Sequence, residues 1–130
     1  MRPWNTKMSS DKLAPFLDSR YLNLETYRKN GHAVKTPVWF VVADEIIFII
    51  TTPNTGKVKR LHHNKTVRIV PSNFKGEPKG EWVEGSGYFA NESDSKLAIK
   101  VRKEKYGFLV NLVSLFTSRK GNPIVIGIKI

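Results

Sequence analysis

The sequence contains no cysteine, which excludes disulfides, thiolate metal ligands and a cysteine nucleophile. Acid is scarce as well. Eleven Asp and Glu stand against 22 Lys and Arg, giving a formal net charge of +11 and a pI near 10.0. No apolar run approaches the ~20 residues needed to cross a bilayer as a helix. The first residues, MRPWNTKMSSDK, lack the apolar centre of a signal peptide. A cytoplasmic protein without membrane association is therefore expected. With 130 residues, 40% hydrophobic and 25% charged, the chain reads as one domain with a single core. Residues 1–8 read as a flexible arm ahead of it.

The missing acid is concentrated in one place. From Ile46 to Gly76 there is no Asp or Glu, while Lys57, Lys59, Arg60, Lys65, Arg68 and Lys75 all fall in that span. The apolar run Ile46–Ile50 reads as a buried strand. Thr51 and Thr52 follow it, then a Pro53-Asn54-Thr55-Gly56 turn and a short basic helix. A strand ending in hydroxyls, a Gly turn and a basic helix together describe an anion site, because backbone N–H groups and the positive end of the helix dipole converge there. It is not a Walker A loop: Val58 follows Gly56-Lys57 where Ser or Thr is required. The same residues also fit a solvated basic helix. The charge invites a nucleic-acid reading, but Phe74 is the only aromatic besides His62 and His63 between Thr51 and Lys75. Single-strand binders interleave aromatics with their cations, so nucleic acid is not the favoured partner.

Taken in order, Ser9 or Ser10 offers a cap for a short helix to Leu17, limited by Pro15. Tyr21–Arg28 alternates as a half-buried strand. Asn30-Gly31 predicts a type I′ hairpin turn into a return strand, Val34–Ala43, whose Pro37 marks an edge, a bulge or a ligand-facing gap. Asp44-Glu45 turns into Ile46–Thr52. Thr66–Val70 is the next strand, Pro71–Gly80 a loop, and Glu81–Ala90 a strand whose Gly85 and Gly87 predict a barrel bend or close backbone approach. Asn91–Asp94 supplies N-caps for a helix to about Tyr106, with Leu97, Ala98 and Val101 on one side. Gly107 stops it, Phe108–Phe116 continues as an apolar helical segment, and Ile124–Ile130 closes the chain as a strand. The pattern predicts a mainly β fold with peripheral helices, a six-stranded Greek-key or split β-barrel.

Side-chain machinery for catalysis is not evident. No nucleophile elbow or triad pattern is present. His62-His63 are neighbours that a helix points in different directions, without a carboxylate nearby; they read as surface residues, and no metal site is expected. Trp39 and Trp82 read as core or dimer-interface aromatics. A bound cofactor is then the natural carrier of chemistry, with its phosphate on the basic strand–turn–helix.

Three runs in order, Thr26–Phe40 (TYRKNGHAVKTPVWF), Gly56–Leu61 (GKVKRL) and Gly76–Gly80 (GEPKG), resemble the pyridoxamine-phosphate-oxidase-like split-barrel superfamily. More narrowly, the chain resembles its branch of deazaflavin (coenzyme F420)-dependent oxidoreductases. The resemblance extends from about Tyr21 to Ile130. It implies an FMN-binding-type split barrel, homodimeric, with two cofactor sites at the subunit interface. The strand containing Lys35, Thr36, Pro37, Val38 and Trp39 is then expected to line the ring. Thr51, Thr52 and Lys57 are expected to hold the phosphate. Lys59 and Arg60 are further partners for a phosphate or acidic tail, and Lys79 and Gly80 of the third run are included in the cofactor-binding set.

Two departures sharpen the expectation. Flavin-using oxidases of this superfamily tend to carry Arg-Lys at the phosphate loop, where this chain has Gly56-Lys57. The substrate-binding C-terminal region of true pyridoxamine phosphate oxidases has no counterpart before Ile130, so vitamin B6 oxidation is not expected. The deazaflavin coenzyme bears a phosphate, a lactyl carboxylate and a polyglutamate tail, which suit a +11 chain better than FMN does. The expectation is an oxidoreductase passing a hydride from reduced F420 to a small organic substrate. FMN is the alternative cofactor, and a non-catalytic carrier or a nucleic-acid-binding barrel are the alternative roles.

Overall fold

The computed structural model describes residues 12–106 and 123–130. The arm, the Ser9 or Ser10 cap, the stop at Gly107 and the Phe108–Phe116 segment lie outside the described residues. Residues 12–17 are helical (α1). Seven strands follow: β1 (Tyr21–Tyr27), β2 (Ala33–Trp39), β3 (Val41–Ala43), β4 (Ile46–Thr51), β5 (Thr66–Ser72), β6 (Val83–Phe89) and β7 (Ile124–Lys129). Helix α2 (Gly56–His63) joins β4 to β5, and α3 (Glu92–Tyr106) follows β6. Among the described residues no helix is long and apolar enough to cross a membrane.

All pairings are antiparallel, in the order β2-β1-β5-β6-β7-β4-β3. The seventh strand arises because Val34–Ala43, expected as one strand, is two. Phe40 alone separates β2 from β3, yet these strands occupy opposite ends of the sheet order. Consecutive Cα atoms are only ~3.8 Å apart, so the sheet must roll until its two edges meet at Phe40. That corner closes the split barrel. Pro37 lies on the edge strand β2, opposite Asn23, where a missing N–H interrupts no second ladder.

The turns differ from expectation in an instructive way. Asn30 does not take positive φ; Gly31 does, at +89°. The Arg28 N–H donates to the His32 carbonyl (2.9 Å) and the Gly31 N–H to the Arg28 carbonyl (2.8 Å). This is a three-residue loop, in which glycine alone carries the left-handed position. The two-residue loop is Asp44-Glu45, with φ of 52° and 63°, because Ala43 pairs directly with Ile46. Ladder register, not residue preference, imposes the left-handed pair there.

Leu22, Leu24, Phe40, Ile47, Ile49, Leu61, Val67, Ile69, Ile126 and Ile128 fill the barrel, each no more than 2% exposed. Alternate residues of β4 point the other way: Phe48 packs with Val41, Ala98, Tyr106 and Val125 beneath α3. Burying each such side chain contributes about 1.5–3 kcal/mol. β1 is not half-buried as expected. Residues 22–26 are all buried, because its outer face is covered by polar partners. Asn23 donates to the Gly76 carbonyl (2.8 Å), and Glu25 receives Tyr27 and Arg68. Gly85 passes close to the end of β7: a Cβ there would stand 2.8 Å from the Lys129 carbonyl oxygen. Helix α3 starts where the sequence indicates, with Asn91 Oδ1 accepting the Asp94 N–H (2.8 Å).

Candidate functional site

A cavity of about 160 Å³ opens beside the barrel corner. Its walls are Val38–Val41 from the β2–β3 corner, Phe48–Thr51 from β4, Lys57 from the first turn of α2, and Arg102 and Tyr106 from α3. The local sequence explains each wall. β4 runs through the sheet and ends at Thr51, where Pro53 and Asn54 turn the chain into α2. Thr55 is the N-cap residue in extended conformation but does not cap with its side chain. Its hydroxyl donates instead to the Thr52 carbonyl (3.2 Å), and Thr51 and Thr55 hydroxyls are 3.3 Å apart. The first turn of α2 has no acidic residue, so its N–H groups and dipole remain available to an anion.

The aromatic wall is rigid. The Trp39 and Tyr106 rings stack with centroids 4.4 Å apart and planes within 6°. The Tyr106 hydroxyl accepts the Phe40 N–H (3.1 Å), and its own proton is shared between the carbonyls of Arg20 (2.7 Å) and Phe40 (2.8 Å). Burial, above all, raises its pKa to about 12. Lys105 donates to the same Phe40 carbonyl (2.9 Å) and lies 3.6 Å from the Phe40 ring centroid; burial pulls its pKa down to about 8.

The cavity's cations, Lys57 and Arg102, line it with no acid beside them among the described residues. Burial, and then the nearby Arg60 charge, lowers the Lys57 pKa. Burial alone lowers that of Arg102. Arg102 is 9% exposed, and its Nε has no hydrogen-bond partner among the described residues. Among the described residues, none that lines the cavity is an Asp or Glu. Sequence reasoning missed Arg102 and Tyr106. Their signal is the i, i+4 series Ala98, Arg102, Tyr106, which forms the buried stripe of α3.

Of the residues singled out from sequence, Val38, Trp39, Thr51 and Lys57 line this cavity. Thr52 and Arg60 stand close behind α2's first turn. Arg60 Nε donates to Thr26 Oγ1 (2.6 Å), tying the helix to β1, and Lys59 is exposed. Lys35 is drawn away toward Glu25 (3.9 Å) and the Trp82 ring (5.2 Å). Thr36 and Pro37 lie along β2 opposite Leu24 and Asn23. Lys79 lines a second cavity, of about 350 Å³, with Arg20, Tyr21 and Phe74; Gly80 is exposed beside it. His62 and His63 are exposed, and His62 rests on Phe89 with ring centroids 4.6 Å apart.

No protein-family model matches the sequence, and no curated protein does. Solved structures do. HutZ, the heme storage protein of Vibrio cholerae, superposes with a TM-score of 0.68 at 15% identity, over 99% of this chain and 90% of its own. A Listeria innocua protein assigned by name to the pyridoxamine 5′-phosphate oxidases gives 0.65 at 12%, over 93% and 91%. The chain has the pyridoxamine-phosphate-oxidase-like split-barrel fold. The conserved hypothetical protein Rv2991 from Mycobacterium tuberculosis gives 0.69 at 16%, over 91% and 77%. At such identities the likeness is one of fold.

Proposed function

We propose that this split barrel binds a phosphate-bearing ring cofactor, coenzyme F420 ahead of FMN, and acts as a hydride-transferring oxidoreductase on a small organic substrate. The observation that carries the reading is the pair Lys57 and Arg102 in one cavity whose lining, among the described residues, has no carboxylate. Withdrawing a charge from water without a partner is costly, so the pair favours an anionic ligand. The residues fit such a cofactor. Lys57, the Thr51 hydroxyl and the free N–H groups of α2 suit a phosphate. The stacked Trp39 and Tyr106 offer a flat apolar face to a ring.

When bound in its reduced form, the deazaflavin supplies a hydride to an organic acceptor. The chain's own contribution is binding and orientation. Lys57 fixes the phosphate end, the Phe40 corner held by Tyr106 and Lys105 keeps Trp39 in place, and the apolar walls from Val41, Phe48 and Ile50 exclude water. The cavity's 160 Å³ is less than the about 300–1,000 Å³ of ligand pockets. A homodimer with the site completed by the second protomer accounts for the remainder. Light scattering tests this: the cofactor-bound protein is expected at twice the chain mass, and a monomer would contradict the shared site.

Heme storage, the role of HutZ, is less well supported. Among the described residues the cavity lining has no His, Cys or Met to serve as an axial ligand, and the Tyr106 hydroxyl is committed to backbone carbonyls. Purified protein should carry or take up F420, with a shifted absorbance spectrum and turnover of an electron acceptor. Binding without turnover would make the chain a carrier, and no binding of F420 or FMN would overturn the reading.

A further inference from the structure

Lys57 and Arg102 enter the cavity from different elements. Lys57 stands at the start of α2, beside Thr51 at the end of β4, whereas Arg102 is one helical turn before Tyr106 on α3. An i, i+4 spacing puts Arg102 and Tyr106 on one face of α3, and both line the cavity with Trp39, whose ring stacks on Tyr106 (4.4 Å). The two cations thus reach the cavity from different walls, α2 and α3. Arg102 is also the more deeply buried of the two, 9% exposed, and its Nε has no partner among the described residues. A guanidinium offers planar, directional donors, unlike the point charge of an ammonium. Beside a flat aromatic wall, such donors match the edge of a planar ring better than a tetrahedral phosphate.

We infer that Arg102 recognises the ring of the cofactor, holding the carbonyl-bearing pyrimidine edge, independently of the phosphate held by Lys57. The inference rests on the cofactor reading above. That edge gains negative charge when the ring is reduced, and a cation beside it tunes the ring electronically. Arg102 therefore favours the reduced form over the oxidised one. It also burdens the empty protein: a guanidinium whose buried Nε has no partner among the described residues costs stability until the ligand arrives.

The test uses the full chain, F420, and the phosphate-free deazaflavin riboside that carries the same ring. Arg102→Gln is expected to weaken both compounds by the same factor, about ten- to hundredfold as for other charge-assisted bonds, and more in the reduced than in the oxidised form. Lys57→Ala is expected to weaken F420 alone. The apo Arg102→Gln protein is expected to melt at or above the wild-type temperature, and Arg102→Lys to recover little affinity because it lacks the planar fork. An Arg102→Gln effect confined to the phosphorylated compound would overturn the inference and leave the cofactor reading standing. So would full recovery by Arg102→Lys, or a fall in apo melting temperature in both variants, which would mark Arg102 as structural. If neither compound binds the wild-type protein, the cofactor reading itself fails, and the inference fails with it.

Discussion

Two groups of cations among the described residues, one around Glu25 and one in the cavity, have opposite outcomes. On the outer face of β1, Glu25 is 4% exposed and gathers the Tyr27 hydroxyl at 2.6 Å, Arg68 at 3.3 Å and Lys35 at 3.9 Å. Arg68 and Lys35 also flank the Trp82 ring, each 5.2 Å from its centroid. That cluster is satisfied within the chain, so its charges serve the fold. At the cavity, Lys57 is half-buried and Arg102 buried, with no carboxylate among the described lining residues. The two clusters use the same residue types, and the placement of acid separates them. Lys57 and Arg68 both lie in the acid-free span from Ile46 to Gly76; the fold brings Glu25 to Arg68 and Lys35 and brings no described acid to the lining around Lys57 and Arg102.

Mutations should divide along this line. The largest effect is expected from Lys57→Ala, which removes a charge-assisted bond worth roughly 1.5–3 kcal/mol. F420 affinity should fall about ten- to hundredfold, with no loss of stability in the apo protein. Calorimetric titration and a urea melt report the two quantities, and a stability loss without an affinity loss would erase the contrast. Glu25→Ala should do the reverse. Its partners Lys35 and Arg68 are 56% and 44% exposed in their side chains and can regain water, so the expected destabilisation is about 2 kcal/mol, with F420 affinity unchanged. Weakened binding in this variant would mean that the outer cluster belongs to the site.

Much of this organisation was legible in the sequence, and the exceptions share a cause. Strand positions, α2 and the Asn91 cap follow from local patterns of hydrophobicity and capping. The split at Phe40 does not, because VKTPVWFVVA contains no turn residue at the corner; barrel closure bends it. The turn at Asp44-Glu45 is likewise set by the pairing of Ala43 with Ile46. In the site, the strand–turn–helix around Lys57 is contiguous and visible. Arg102 and Tyr106 lie more than 40 residues later on a helix whose apolar side reads as Leu97, Ala98 and Val101. Only packing against β3 and β4 shows that the Ala98–Arg102–Tyr106 stripe faces the cavity.

A smaller effect concerns pH. The folded Lys105 titrates at about 8 against an ordinary 10.5, so between these values the unfolded chain binds the extra proton. Stability should therefore rise with pH across that window, until the burial-raised tyrosines Tyr27 and Tyr106, both near 12, reverse the trend above their ordinary value of 10. Lys105→Met should flatten the rise between about 8 and 10; an unchanged slope in urea melts would contradict this origin. The smallest effect is expected from Lys65→Ala. Lys65 is exposed, donates to the Leu61 carbonyl (2.9 Å) and lies outside the cavity, so screening should hold its effect on F420 affinity to about twofold or less.

The most direct test of the ligand-ready cavity is a titration of wild-type protein with F420 and with FMN, repeated on Lys57→Ala and Lys65→Ala. These two variants lose the same net charge. The expected result is tighter binding of F420 than of FMN, with F420 affinity falling about ten- to hundredfold on replacing Lys57 and nearly untouched on replacing Lys65. Equal, slight weakening by both substitutions would contradict it, because the cations would then act only as a diffuse basic surface.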